Sequence, residues 1–434
     1  MAEKFIIQGG KSLKGAVEIR GAKNAALPVL AAALLTKEPC VVDNLPLIED
    51  IFRMLDILKK LGAEISWEGK RKIKITCSGI DPKELSSCLA VGLLRTSILF
   101  LGPLLARFGR VEMPSPGGCV IGARPLDTHF DAFLQMGIKI SPKGKLYYFE
   151  KDQKFKPGKN PFSFFKKGTE IVLREISVTA TENVLLYSAF SPKKTLVKVA
   201  DQDYGCQELC RVLKKMGAKI KGAGTHCLGI SGSRNLKGFN HKIISDPIET
   251  GTFIVASLIT KGEVLIKKAE LSFLSLFLKR LADFGANFKV LAPNLIKVFP
   301  STKLRIDKIQ SLPYPGVHTD LQPELGVLAT QTKGPTLIHD PLYEGRLKYL
   351  EDLNKMGADI VFCDPHRAIV NGPTPLYGIE IPSPDIRAGA ALIIAALAAK
   401  GKTTIDNVYQ IDRGYEKIEE RLQELGAEIR RVKG

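Results

Sequence analysis

Residues 114–129 read PSPGGCVIGARPLDTH, a proline-studded loop that sets Cys119 behind two glycines and follows it with Arg124, Asp127 and His129. A free thiol titrates near 8.5, so it is mostly protonated at neutral pH and able to give up a proton. A neighbouring arginine lowers that value toward reactivity. Gly117 and Gly118 provide the backbone freedom that a moving loop needs. Charged residues recur at other turns. Lys23 and Asn24 stand in GAKNAALP, Arg95 in LLRTS, Asp320 in HTDLQPE, and Glu344 and Arg346 in YEGR. Asp385 and Arg387 follow in SPDIRAGAA, then Asp412 and Arg413 in QIDRGYE. A lysine and an amide at a helix start suit a phosphate, because free N–H groups point the same way; a capped, solvated helix start fits the same residues. Arg95, inside an apolar stretch, must meet either a protein carboxylate or a ligand. A single Asp–Arg pair is an ordinary structural ion pair. Several, spread over both halves of the chain, point to an anion clamp closing between domains. Guanidinium forks grip carboxylate and phosphate bidentately, so the implied ligand carries both groups or several phosphates.

The elements that position these residues come from a repeat. LKKLGAEI at 58–65 returns as FLQMGIKI, LKKMGAKI, LADFGANF, LNKMGADI and LQELGAEI, with a period of about 70 residues. Each phrase reads as a helix with apolar residues at i, i+3 and i+4, ended by a glycine in the left-handed conformation and followed by a strand. A second phrase, an alanine- and leucine-rich helix, a polar turn and a short strand, recurs in LAAALLTKEPCVVDNLP, FIVASLITKGEVLIKKAE, LGVLATQTKGPTLIHDPLY and LIIAALAAKGKTTIDNVY. The unit is β-α-β-α-β-β, and six of them imply an α/β protein of two domains with three units each, helices inside and sheets outside. Ligands usually bind in clefts between such domains.

At 434 residues the chain exceeds one ordinary core, and 45% hydrophobic with 25% charged residues is the composition of a globular protein. The longest apolar runs, 24–36 and 392–399, fall short of the roughly 18–20 residues of a membrane span. MAEKFIIQGG lacks a secretory apolar region, so a cytoplasmic protein without membrane insertion is expected. Eight scattered cysteines read as reduced thiols, and Cys206 with Cys210 is a weak metal signal without a second pair. The six histidines show no ligand spacing, so no metal or cofactor is expected. The net charge of +18 is spread along the chain. Its densest cluster, 143–167, interleaves lysine with Tyr and Phe, yet no nucleic-acid motif accompanies it and no nucleic-acid partner is expected. A positive field draws small anionic substrates equally well.

Together, GAKNAALP, LRTS, PGGCVIGARPLD, HTDLQPE, YEGR, PDIRAGAA and IDRGYE resemble the UDP-N-acetylglucosamine enolpyruvyl transferase family, over essentially the whole chain. The related transferase that forms a shikimate ether shares the fold and lacks the cysteine loop. The resemblance implies two inside-out α/β domains, each of three pseudosymmetric units, with residues 1–21 and 245–434 in one and 22–244 in the other. It implies transfer of the enolpyruvyl group of phosphoenolpyruvate to the sugar 3-hydroxyl with release of phosphate, the committed step of peptidoglycan synthesis. Cys119, on a lid loop 113–124, then acts as proton donor and Asp320 as base, with Lys23 and Arg413 also catalytic. Lys23, Arg95, Arg124, Arg346, Arg387 and Arg413 hold phosphoenolpyruvate. Asn24, Arg95, Ser177, Val178, Asp320 and Leu342 contact the UDP-sugar, and Arg124, Pro125, Leu126, Asp127 and Thr128 surround its uracil. No obligate protein partner is implied. The chain departs from the family pattern at Glu175, Thr179, Asp203, Pro247, Val317, His318 and Gln410, and most of these positions lie on the diphosphate-sugar side or in interdomain signalling rather than in the phosphoenolpyruvate cage. Two alternatives follow: another UDP-sugar or uridine nucleotide as acceptor, or a non-catalytic protein of the same fold.

Overall fold

The computed structural model describes residues 3–117, 125–155 and 168–433. In it, the glycines that end the repeated phrase, Gly62, Gly137, Gly217, Gly285, Gly357 and Gly426, have φ between 82° and 108°. A side chain is strained there, so glycine both stops the helix and turns the chain into the next strand. The helix before each is amphipathic. In Glu49–Lys60, for instance, Ile51, Met54, Leu55 and Leu58 are buried on one face, and Lys59 and Lys60 favour the negative C-terminal end.

Contacts divide the chain into two units. One collects residues up to Arg20 and from Ser245 onward; the other runs between Gly21 and Ile244. In the first unit the helices Pro247–Ile259 and Gln322–Ala329 are buried along their whole length, and Ile386–Ala398 is buried except at its last residue. These three pack on one another and form the unit's core. Aspartates begin two of them. Asp246 accepts from the Ile248 N–H at 2.8 Å, and Asp385 from the N–H groups of Arg387 and Ala388 at 2.9 and 3.1 Å.

Three four-stranded sheets enclose that core with the same pairing pattern, one parallel edge followed by two antiparallel pairs. Lys308–Gln310 runs parallel to Gly334–His339, which pairs antiparallel with Arg367–Gly372 and so to Asp359–Asp364. Lys14–Glu18, Glu263–Lys267, Leu295–Val298 and Phe288–Ala292 repeat that order. In the third sheet Glu380–Pro382 lies parallel to Lys402–Asp406, and the chain's first strand, Glu3–Gln8, fits between Lys402–Asp406 and Glu428–Lys433.

The second unit repeats the scheme. Thr169–Val172 and Asn240–Lys242 are the parallel edges of two four-stranded sheets. The third sheet has three described strands, Arg110–Pro114, Leu146–Lys151 and Ile138–Lys143. Helices Lys23–Ala32 and Leu101–Phe108 both pack against Val178–Ala189 inside. Among the described residues, no helix is long and apolar enough to cross a membrane.

Candidate active-site residues

In the unit that holds the chain ends, Asp320 lies just ahead of the buried helix Gln322–Ala329. His318 sets the turn, its Nδ1 accepting the Asp320 N–H at 2.9 Å. That bond leaves Nδ1 unprotonated. The Asp320 carboxylate is shared by two arginines. Arg346 Nη2 donates to Oδ1 at 3.0 Å, and Arg387 Nε reaches Oδ2 at 3.1 Å. Both arginines are 4% exposed, so the ion pairs act at short range and with little screening. Arg346 also donates from Nε to Thr319 Oγ1, and Thr319 in turn donates to the buried Asp340 at 2.6 Å. Asp340 accepts the N–H groups of Leu342 and Tyr343, which fixes the loop carrying Arg346. Burial opposes the charge of Arg346, but the carboxylates of Asp320, Asp385 and Asp340 outweigh it and hold its pKa above the usual value.

Arg387 is the second residue of its helix, directly after the Asp385 cap, and stacks over the Tyr415 ring at 5.4 Å. Arg413 is buried and donates from Nη1 to Gln410 Oε1 at 3.0 Å. Its neighbour Asp412 is gripped by Arg431, which also holds Glu3 and Glu419. Leu342 is 37% exposed on the loop before Arg346. The structure thus gathers Asp320, Arg346 and Arg387 into one ionic cluster. An arriving anion would compete with this carboxylate for the same donors.

In the other unit, Lys23 is the first residue of the helix Lys23–Ala32 and its ammonium pairs with Asp50 at 2.6 Å. Asn24 follows it, its carbonyl close against Gly205, where any Cβ would crowd it. Arg95 opens a short 3-10 stretch and donates from Nη2 to the Pro125 carbonyl at 3.2 Å, linking it to the segment that leads into Asp127–Gln135. Leu126 is buried there, and Pro125 and Asp127 are exposed. Ser177 caps the helix Val178–Ala189, its hydroxyl accepting the Ala180 N–H at 3.4 Å, and Val178 is the first helical residue.

The starts of helices Asp127–Gln135 and Val178–Ala189 are tied together. Thr128 Oγ1 donates to Glu175 Oε1 at 2.9 Å, and His129 Nε2 lies 3.0 Å from Thr179 Oγ1. Asn183 directs its amide nitrogen at His129 Nδ1, and its carbonyl oxygen accepts the Gly102 N–H at 2.9 Å, so the proton of His129 is on Nε2. Glu175 and Thr179, two of the positions where the sequence leaves the family pattern, are therefore partners of Thr128 and His129. Asp203 caps the helix Tyr204–Lys215, and Pro247 is the first residue of Pro247–Ile259. Cys119 and Arg124, with the rest of 118–124, lie outside the described residues.

The sequence reading did not single out Thr319, Asp340, Tyr415, Thr252 or Glu324. Glu324 was visible only as one acid in a buried apolar helix, and its partners are 72 and 91 residues away in the chain.

Buried helices under sheets, five of the six described ones four-stranded with one parallel edge, and the Asp320 cluster at the start of one of those helices, make up the enolpyruvyl transferase architecture. The enolpyruvyl transferase NikO from Streptomyces tendae superposes with a TM-score of 0.87 at 25% identity, over 100% of this chain and 99% of that one. An EPSP synthase from Acinetobacter baumannii superposes at 0.76 with 19% identity, over the whole of both chains. The chain belongs to the EPSP synthase (3-phosphoshikimate 1-carboxyvinyltransferase) family, whose model matches residues 7–422. Similar proteins include the UDP-N-acetylglucosamine 1-carboxyvinyltransferases of Treponema denticola, 40% identical over 98% of both chains, and of Borrelia garinii subsp. bavariensis, 40% identical over 99% of both. That of Koribacter versatilis is 39% identical, over 99% of this chain and 96% of its own.

Proposed function

We propose that this protein is a cytoplasmic transferase that moves the enolpyruvyl group of phosphoenolpyruvate to the 3-hydroxyl of UDP-N-acetylglucosamine and releases phosphate, the first committed step of peptidoglycan synthesis. The observation that carries the reading is the near full-length likeness, at 39–40% identity, to proteins named for that reaction. Its substrates are the two small molecules alone.

The chemistry is an addition followed by an elimination. Asp320 takes the proton of the sugar hydroxyl as its oxygen bonds to C2 of phosphoenolpyruvate, and Cys119 gives a proton to C3. The tetrahedral intermediate then returns a C3 proton to the Cys119 thiolate as the C2–O bond to phosphate breaks, which restores the double bond in the product, and the proton on Asp320 leaves with the phosphate. Arg346, Arg387 and Arg413, with Lys23, Arg95 and Arg124, hold the phosphate and carboxylate. A fixed cationic set keeps those charges from collapsing onto the positive character that develops at C2. For Asp320 to act as base, the incoming anion must take over part of its hold on Arg346 and Arg387. Asn24, Pro125, Leu126, Asp127, Thr128, Ser177, Val178 and Leu342 contact the UDP-sugar.

The test is phosphate release from phosphoenolpyruvate with a panel of UDP-sugars and uridine nucleotides. Release with UDP-N-acetylglucosamine, falling about 10²–10⁴-fold in Cys119→Ala, is the expected result. Release only with another acceptor, or none at all, rejects the proposal.

A further inference from the structure

Glu324 lies in the helix that starts beside Asp320 and is completely buried. One carboxyl oxygen is well supplied. Oε1 accepts from Thr252 Oγ1 at 3.1 Å and from the Tyr415 hydroxyl at 3.3 Å, and those two hydroxyls are 2.9 Å apart. The other, Oε2, is buried with no hydrogen-bond partner among the described residues. An ionised carboxyl held by one oxygen in an apolar helix is costly unless a nearby cation offsets it. That cation is Arg387, stacked over the ring of Tyr415, whose hydroxyl bonds Glu324. Burial raises the Glu324 carboxyl, its own backbone N–H and then Arg387 and the Thr252 hydroxyl lower it, leaving it at about 7, with Asp320 as a further raising charge.

The other titratable groups around it are already committed. Tyr349, its phenol raised by burial and bonded by Gln322, is a second hydroxyl near the helix. Asp246, on the Thr252 element, caps that helix and is raised by burial while Arg387 lowers it, and Glu249 is paired with Arg421. Arg346 is held by Asp320 and Thr319. Arg387 is therefore the cation that the buried carboxyls of Glu324 and Asp246 share with Asp320, which it binds at 3.1 Å.

We propose that Glu324 is a positioning residue that takes up a proton from solvent when an anion binds at Arg346 and Arg387, so that the positive charge of Arg387 is left to the anion and Asp320. An arriving phosphate or carboxylate consumes the field that kept Glu324 ionised, and the carboxyl becomes neutral by gaining one proton at Oε2. By linkage, the protonated form binds the anion more tightly than the ionised form, and affinity falls as pH rises through the titration of Glu324. Neutral Glu324 also stops competing with Asp320 for Arg387 during turnover. The inference rests on the proposed role of these arginines in holding phosphoenolpyruvate.

Calorimetric titration of the full chain with phosphoenolpyruvate at pH 7.5, in two buffers of different ionisation heat, reads the proton uptake directly. The wild type should take up more protons than Glu324→Gln, by up to one per anion bound; protons carried by the ligand itself cancel in the comparison. Between pH 6 and pH 9 the dissociation constant should weaken in the wild type relative to E324Q, by about tenfold for each unit that the anion raises the carboxyl. Equal uptake and parallel pH profiles overturn the inference while leaving the proposed function standing, and failure of phosphoenolpyruvate to bind overturns both. Should E324Q not fold, the infrared difference spectrum of the wild type with and without phosphoenolpyruvate decides. A new band of a protonated buried carboxyl supports the inference and its absence refutes it.

Discussion

Replacing Asp320 with alanine separates two effects of one carboxylate. It removes a shared counter-ion from two arginines that are each 4% exposed, at 3.0 Å from Arg346 and 3.1 Å from Arg387. Removing one partner of a buried ion pair costs about 3–5 kcal/mol, because the other charge stays behind unpaired. Asp320 is itself 18% exposed at its side chain, so water can reach the arginines in the variant and the loss falls to roughly 2–4 kcal/mol. Phosphoenolpyruvate no longer competes with the carboxylate and should bind about tenfold tighter, the equivalent of ~1.4 kcal/mol. At a hundredfold excess over its dissociation constant it should return about 2.7 kcal/mol of stability. Turnover should still fall by about 10²–10⁴, the usual contribution of a general base. Scanning calorimetry with and without phosphoenolpyruvate, beside a phosphate-release assay, measures all three quantities. Weaker phosphoenolpyruvate binding in D320A, with a melting transition that the ligand does not restore, would falsify the claim that Asp320 and the substrate anion share the same arginines.

Three further outcomes follow from other contacts. In Gly326→Ala the new methyl lands on the Tyr349 hydroxyl, which accepts from Gln322 at 2.8 Å. Overpacking of this kind should lower stability by about 1–3 kcal/mol in urea unfolding, and an unchanged midpoint would mean that the helix relaxes freely. Glu175→Ala removes the acceptor of Thr128 Oγ1. A bond worth about 0.5–1.5 kcal/mol predicts a change of roughly two- to tenfold in KM for the UDP-sugar with KM for phosphoenolpyruvate unmoved; a shift in both would contradict this. Burial alone would raise Glu208, but its bonds to His241 at 2.8 Å and to Arg211 outweigh burial and hold the carboxyl below its ordinary 4.5. A depressed carboxyl stabilises the fold above its unfolded value, and that stability is lost as pH falls through the folded value. Acid titration of stability below about pH 4.5 should therefore be shallower in His241→Ala than in the wild type, and identical slopes would exclude this pair.

Much of the architecture was legible because it repeats. The repeated glycine-ended phrase marked six amphipathic helices and the strands after them, and the alanine-rich runs marked helices that are buried on nearly all sides. The parallel edge strands were not legible. Lys308–Gln310, Asn240–Lys242 and Glu380–Pro382 have three residues each, too few for alternation to show, and pairing with a distant strand is what makes them strands. In the site, Asp320, Arg346 and Arg387 stood out as charges at turns, and their convergence needed the fold. Asp50, which holds Lys23, is 27 residues away on another helix with no local pattern linking the two. The Thr252–Glu324–Tyr415 network escaped for the same reason: hydroxyls in a buried helix read as ordinary polar residues until the fold brings them to a carboxyl.

The central place of Glu3–Gln8, paired on both sides by strands near the other end of the chain, bears on how the molecule is made. A ribosome delivers that strand first and its partner Glu428–Lys433 hundreds of residues later. The intervening segment between Gly21 and Ile244 can complete its own sheets while synthesis continues, since its described strands pair among themselves. Glu3–Gln8 must meanwhile wait unpaired, an exposed ribbon in the nascent chain, and a chaperone that shields such ribbons would find a target there long before the partner strands are made.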